Sequence, residues 1–203
     1  FQVLLGHVTM GSMSDDDERQ RRLVLIEETL QQSQPLLDQL MRMAHPDEGT
    51  SMSCDLSEVL RQFHKQAQLV LPGCVKLTVE VPSELPPVLL NPHGIVHALW
   101  NLIINAKQAI EGDGAITLRC GNDRHQVWIE VADSGGGMPA EVQERIFDPY
   151  FTTKAIGQGT GLGLTAVARF VRGSNGLIQV ESEMGRGTTF RMRFPKAVGV
   201  RSA

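Results

Sequence analysis

At 203 residues and 41% hydrophobic content, the chain has the size and apolar share of a soluble domain with a real core plus an appendage. Its formal net charge of -4 gives no support for nucleic-acid binding, which shows as a basic patch. Three scattered cysteines, Cys54, Cys74 and Cys120, form no CxxC metal site or disulfide framework and fit a reducing compartment, and no run reaches the roughly 18 apolar residues of a membrane span.

The chain starts on Phe1 rather than Met, as a piece of something longer would, and its first residues lack the charged start of a signal peptide. Residues 1–13, with Val3, Leu4, Leu5 and Val8, read as the end of a helix that Gly11 and Ser12 break. The acidic run Asp15-Asp16-Asp17-Glu18 suits a helix N-terminus, where carboxylates meet the positive end of the dipole; metal binding is the rival reading. A second helix is predicted over residues 16–44, with Leu23, Ile26, Leu30, Leu37, Leu40 and Ala44 at heptad-like spacing and Pro35 as a kink. Such a narrow apolar stripe is buried either by pairing with a second copy, as a four-helix dimer, or by packing on the chain's own domain.

Residues 45–51 have linker composition. Asp55-Leu56-Ser57-Glu58 looks like a capping box opening a helix to about Leu71, with Leu56, Val59, Leu60, Phe63 and Ala67 as its buried face. Residues 76–81 alternate as a half-buried strand, and Pro82, Pro86 and Pro87 lead to Val88-Leu89-Leu90. Asn91 and Pro92 cap the next helix, predicted to run to about Glu111. On it Val96, Leu99, Ile103, Ala106 and Ile110 are expected to face the core. Gly94, His97, Asn101, Asn105 and Gln108 fall on the opposite side. That side carries neutral amides where a solvated face usually carries Lys and Glu, which suits cover by a ligand.

Residues 115–120 and 126–132 are predicted as paired antiparallel strands, with Asp133 where the second ends. Residues 139–145 form a short helix, residues 161–172 a helix behind a glycine loop, and residues 177–182 and 188–194 a closing hairpin. The expected class is α+β: a two-layer α/β sandwich, a mixed sheet with helices on one face, preceded by an α-helical hairpin. The expected divisions are residues 1–46 for the hairpin, 47–54 for a linker, 55–196 for the α/β domain and 197–203 for a tail.

Four separated pieces carry the chemistry. After a strand, the Asp133 carboxylate can accept from an amino group such as N6 of adenine, while Gly135 and Gly137 let backbone approach a flat ring. Gly157-Gln158-Gly159-Thr160-Gly161-Leu162-Gly163 offers backbone donors before a helix, which suits phosphate. It is neither a Walker A loop nor a dinucleotide fingerprint, and it looks like a mobile flap. Lys154 either supplies charge to a terminal phosphate or is a solvated loop lysine. Asn105 is the best holder of magnesium, its amide oxygen being a hard ligand, and Asn101 shares that role or holds a phosphate oxygen. Both asparagines also fit as caps of nearby loops. Phe147 and Phe151 either anchor the flap or are plain core aromatics.

The stretches NLIINAKQAI, DSGGGMP, IFDPYFTTK and GQGTGLGL resemble the N, G1, F and G2 boxes of sensor histidine kinases, with the Bergerat ATP-binding fold, and Gly185-Arg186-Gly187-Thr188-Thr189-Phe190 resembles the last glycine box. The resemblance covers about residues 55–195. It implies an ATP-dependent protein-histidine kinase using ATP and Mg2+, with Asn101, Asn105 and Lys154 as catalytic residues. The nucleotide-binding set adds Gln108, Asp133, Gly135, Gly137, Met138, Phe147, Phe151, Gly159, Thr160, Gly161, Leu162, Gly163 and Thr189. The hairpin resembles part of a dimerisation and phosphotransfer domain. Alignment puts the phospho-accepting histidine a few residues before Phe1, so the chain is expected to carry the ATP machinery without its own acceptor, and His7 takes no such role. Asn91 departs from the aspartate common in relatives, but either residue serves as a cap. The implied partners are a response-regulator receiver domain and, through the hairpin, a second copy. Nucleic acid and membrane are not contacted, and the location is cytoplasmic, as the cytoplasmic part of a larger sensor would be.

Two other classes remain open from sequence: a catalytically silent module that binds ATP and a receiver, and another ATPase of the same fold, such as a mismatch-repair or chaperone ATPase or an anti-sigma-factor kinase. Mismatch-repair and chaperone ATPases need a hydrolytic glutamate on the helix of Asn105, where this chain has His97 and Asn101.

Overall fold

The computed structural model describes residues 51–154 and 160–197. The expected hairpin over residues 1–46, Gly157 and Gly159 of the flap, and the end of the tail lie outside the described residues. In chain order the elements are β1 (Met52–Cys54), α1 (Leu56–Val70), β2 (Val75–Glu80), β3 (Val88–Leu90), α2 (Pro92–Ala109), β4 (Gly114–Asn122), β5 (Gln126–Asp133), α3 (Ala140–Gln143), α4 (Gly163–Gly173), β6 (Leu177–Glu183) and β7 (Gly187–Pro195).

The main sheet has five strands in the order β2-β4-β5-β7-β6. β2 runs parallel to β4, and the other neighbours are antiparallel. Period-2 alternation builds its core face from Ile116, Leu118 and Cys120 of β4, Val127, Ile129 and Val131 of β5, and Phe190, Met192 and Phe194 of β7, all buried. α2 packs on β4, β5 and β7, and α4 packs on α2, β6 and β7, giving the expected mixed sheet with helices on one face. On the other face the buried Glu130 carboxylate pairs with Arg119 at 2.8 Å and with Arg191, whose guanidinium lies 5.9 Å from the Trp128 ring centroid.

The caps act locally. Asn91 Oδ1 accepts from the N–H groups of His93 and Gly94 at 3.0 and 3.4 Å, and Pro92 fills the first turn. Asp55 Oδ1 accepts from Ser57 N–H at 2.8 Å. The second half of the expected capping box is not made: Glu58 turns forward to Gln62 and Arg61. Two bounds also differ. Met52–Cys54, inside the expected linker, pairs antiparallel with β3. α4 begins at Gly163 because Gly161 holds a φ of +63°, which a helix cannot use.

The largest correction concerns α2. Its buried residues are Ile95, Ala98, Leu99, Leu102, Ile103 and Ala106, while Val96 is only half-buried and Ile110 is the C-cap. The core face is therefore turned about an eighth of a revolution from the expected stripe, at 100° per residue. Gly94 is consequently no part of a ligand-covered face. A Cβ there would come within 2.4 Å of the Phe170 ring of α4, so glycine is what lets the two helices close up. Gly94→Ala gains about 1 kcal/mol of helix propensity but must displace a ring already packed on Phe194, centroids 6.3 Å apart. Overpacking of this kind costs about 1–3 kcal/mol. The expected outcome is a net loss of about 1 kcal/mol, read as a lower urea midpoint with unchanged slope.

Candidate functional site

Asp133 ends β5 beside the β6–β7 hairpin. Its Oδ1 accepts from the backbone N–H of Gly135 at 2.8 Å and of Thr188 at 3.3 Å. Burial pushes this carboxyl above the usual carboxylate range, with the two N–H groups pulling the other way. The turn after it is clamped between protein elements. Gly136 N–H donates to Ala109 at the end of α2, and its C=O accepts from Gly185. A Cβ on Gly135 would meet the Ala109 carbonyl at 2.6 Å, and one on Gly137 would meet the Glu183 carbonyl at 2.0 Å. The close approach that both glycines allow is thus to protein backbone.

Met138 N–H donates to Ser182 Oγ at 2.8 Å, and Ser182 Oγ lies 2.9 Å from Thr188 Oγ1. A cleft of ≈ 280 Å³ opens here, with Asp133, Ser182, Thr188 and Thr189 in its lining. The rest of the lining is Glu181, Glu183, Arg186 and Gly187, and neither Asn105 nor Lys154 lines it. Sequence reasoning named Thr189 and missed Ser182 and Thr188. Thr188 shares the buried face of Phe190 and Met192 by strand alternation, a signal the sequence did contain.

The second group lies on α2. Lys154 Nζ, from the segment after Phe151, donates to Asn105 Oδ1 at 3.4 Å and to Gln108 Oε1. Burial lowers the lysine pKa. The exposed lysine thus rests its ammonium on the amide face of α2. Asn101 is set apart from this pair: its Nδ2 donates to the His97 carbonyl at 3.0 Å, and a Cβ on Gly163 would come within 2.8 Å of its Oδ1.

The residues flanking the glycine-rich loop are tied to one another. Tyr150 N–H donates to the Gly161 carbonyl at 3.1 Å, and Thr165 Oγ1 donates toward the carbonyls of Phe147 and Gly161. Tyr150 and Gly161 both hold a φ of +63°. A Cβ on Gly161 would sit 2.4 Å from the Tyr150 carbonyl carbon. Thr160 Oγ1 accepts from Leu162 N–H at 3.4 Å. Phe147 stands edge-on to Phe190, centroids 6.4 Å apart, and Arg145 lies 4.4 Å over the Phe151 ring. Both phenylalanines are half-buried against the core.

Among the described residues no group of three or more His, Cys, Asp or Glu side chains is placed to hold a metal ion. A lone amide oxygen such as Asn105 Oδ1 fits magnesium that arrives with phosphate oxygens as its main ligands. No helix of the described residues is long and apolar enough to cross a membrane.

The family profile described as histidine kinase-, DNA gyrase B-, and HSP90-like ATPase matches residues 90–198, just over half the chain. The chain is 34% identical over 159 residues to the sensor kinase CckA of Brucella abortus, covering 71% of this chain and 17% of that protein. It is 34% identical over 186 residues to the sensor histidine kinase ZraS of Klebsiella oxytoca, covering 90% of this chain and 39% of that one. The crystal structure of full-length ShkA in complex with AMPPNP superposes with a TM-score of 0.71 at 25% identity, over 93% of this chain and 40% of that chain. The chain thus spans well under half the length of these relatives.

Proposed function

The chain belongs to the histidine kinase-, DNA gyrase B- and HSP90-like ATPase family, and from that premise we propose that it is the catalytic piece of a sensor histidine kinase, transferring the γ-phosphoryl group of ATP to a histidine. The observation that carries the reading is the meeting of Lys154 with Asn105, 49 residues apart in sequence, on an amide face of α2. Lysine beside a hard amide oxygen is what a triphosphate needs, and a hydrolytic glutamate is missing from that face: His97 and Asn101 stand before Asn105.

Asp133 Oδ2 accepts the adenine amino group, since Oδ1 is taken by two backbone donors. Asn105 holds magnesium, which when bound neutralises charge on the phosphates, and Asn101 and the flap residues Thr160, Leu162 and Gly163 hold phosphate oxygens. Lys154 meets the terminal phosphate. An imidazole nitrogen attacks the γ-phosphorus in line, forming an N–P bond as the bond to the β-phosphate oxygen breaks and ADP leaves. The contribution of the chain is positioning and charge stabilisation. The phosphoryl group then passes to an aspartate of a response-regulator receiver domain, from a homodimer built on the helical hairpin in the cytoplasm.

The test is to incubate the protein with labelled Mg-ATP and an added fragment carrying the acceptor helix of a related kinase. Acid-labile label on the fragment, dependent on its histidine, is the expected result. Tight ATP binding without any transfer would move the assignment to a silent nucleotide-binding module.

A further inference from the structure

Gln108 has no role in the phosphoryl transfer just described, yet it takes the Lys154 ammonium together with Asn105. Asn105 Oδ1 is the oxygen assigned to magnesium. It is therefore claimed twice, by the Lys154 ammonium and, on the kinase reading, by a divalent cation. Both cannot stand on it, because a divalent ion on that oxygen would lie within a few ångström of the ammonium and repel it. Lys154 must leave Asn105 as Mg-ATP arrives, and Gln108 is the group that holds it back.

We propose that Gln108 is a positioning residue that docks Lys154 on α2 and thereby sets nucleotide affinity, acting on the lysine rather than on the nucleotide. The proposal rests on the kinase reading, since it needs Asn105 and Lys154 to serve Mg-ATP. The chemistry of the dock fits a reversible hold. Both oxygens are neutral amides, so the lysine leaves without an ion pair being broken, and Gln108 lies on the exposed side of α2 one turn from Asn105. A glutamate at 108 would hold the lysine far more firmly, as charge-assisted hydrogen bonds do.

The test is a double-mutant cycle read by calorimetry with Mg-ATP. Gln108→Leu, which keeps the side chain's size and removes its acceptor, is expected to tighten binding by roughly 3- to 10-fold, the worth of one released hydrogen bond. Gln108→Glu should weaken it by about the same factor or more. In a Lys154→Met background Gln108→Leu should become silent, the signature of action through the lysine. Weaker binding by Gln108→Leu in both backgrounds would make Gln108 a direct nucleotide contact and overturn the proposal. Wild-type protein that binds no nucleotide would overturn the kinase reading itself and the dock with it, so the two failures are told apart. Thermal melting of each variant separates these effects from loss of fold.

Discussion

Asn105→Ala is expected to lower Mg-ATP affinity at least about 100-fold, or about 2.8 kcal/mol, and to abolish transfer to an added acceptor fragment. The substitution removes the hard oxygen on α2 that is placed beside the Lys154 ammonium. Loss of supporting groups around a metal site already costs roughly 10- to 100-fold, and on the proposed reading the ligand itself goes. The fold should not notice. Asn105 is half-buried between Leu102, Ile103 and Ala106, and alanine is the best helix former. The thermal midpoint should therefore stay within about a degree of wild type. Asn105→Asp is the sharper variant: it keeps an oxygen but would form an ion pair with Lys154 and hold the lysine on α2, so it should restore little transfer even where magnesium binding returns. Calorimetry with and without magnesium decides the matter. An unchanged affinity in Asn105→Ala would take the metal away from this face.

Much of this architecture was legible because the signals are local. Asn91-Pro92 caps α2 through its own next two residues, and alternation in β4, β5 and β7 is written in consecutive side chains. What could not be read depends on pairs far apart in the chain. The parallel register of Val75 with Gly114 leaves no mark in either segment. α2 is apolar around more than half its circumference, with Val96, Trp100 and Ile104 outside the buried stripe, so its sequence alone does not fix which arc is buried. Gly94 then passed for part of a ligand face, when the Phe170 ring fills the space. β1, three residues long, is too short to show a period. The motif glycines stand out in the sequence, but what Gly135 and Gly137 pack against is Ala109 and Glu183, on other elements. The Lys154–Gln108 contact had no sequence signature at all.

Asp133→Asn should separate stability from binding. Burial raises this carboxyl's pKa in the folded protein, so the fold binds the proton more tightly than the unfolded chain does. Protonation therefore favours the fold at low pH, and that advantage is lost as pH rises through the folded pKa. At neutral pH the ionised carboxylate is a cost. Asparagine keeps an Oδ1 acceptor for Gly135 and Thr188 and carries no charge. The nucleotide-free variant should melt higher than wild type at pH 7, and the difference should shrink as pH falls through the raised carboxyl pKa towards the usual carboxylate range. Adenine binding should suffer the opposite fate. With Oδ1 occupied, the position open to the adenine amino group passes from a carboxylate oxygen to an amide NH2, so donor faces donor. A site built to hydrogen-bond one group rejects its mismatch strongly, and ATP affinity should fall roughly 100-fold. A 6-oxo purine presents an acceptor at that place, so ITP should bind the variant better than ATP, reversing the wild-type order. Equal losses for ATP and ITP would mean that Asp133 shapes the turn after β5 without reading the base. A variant that melts lower than wild type would mean that its two backbone hydrogen bonds outweigh the cost of its burial.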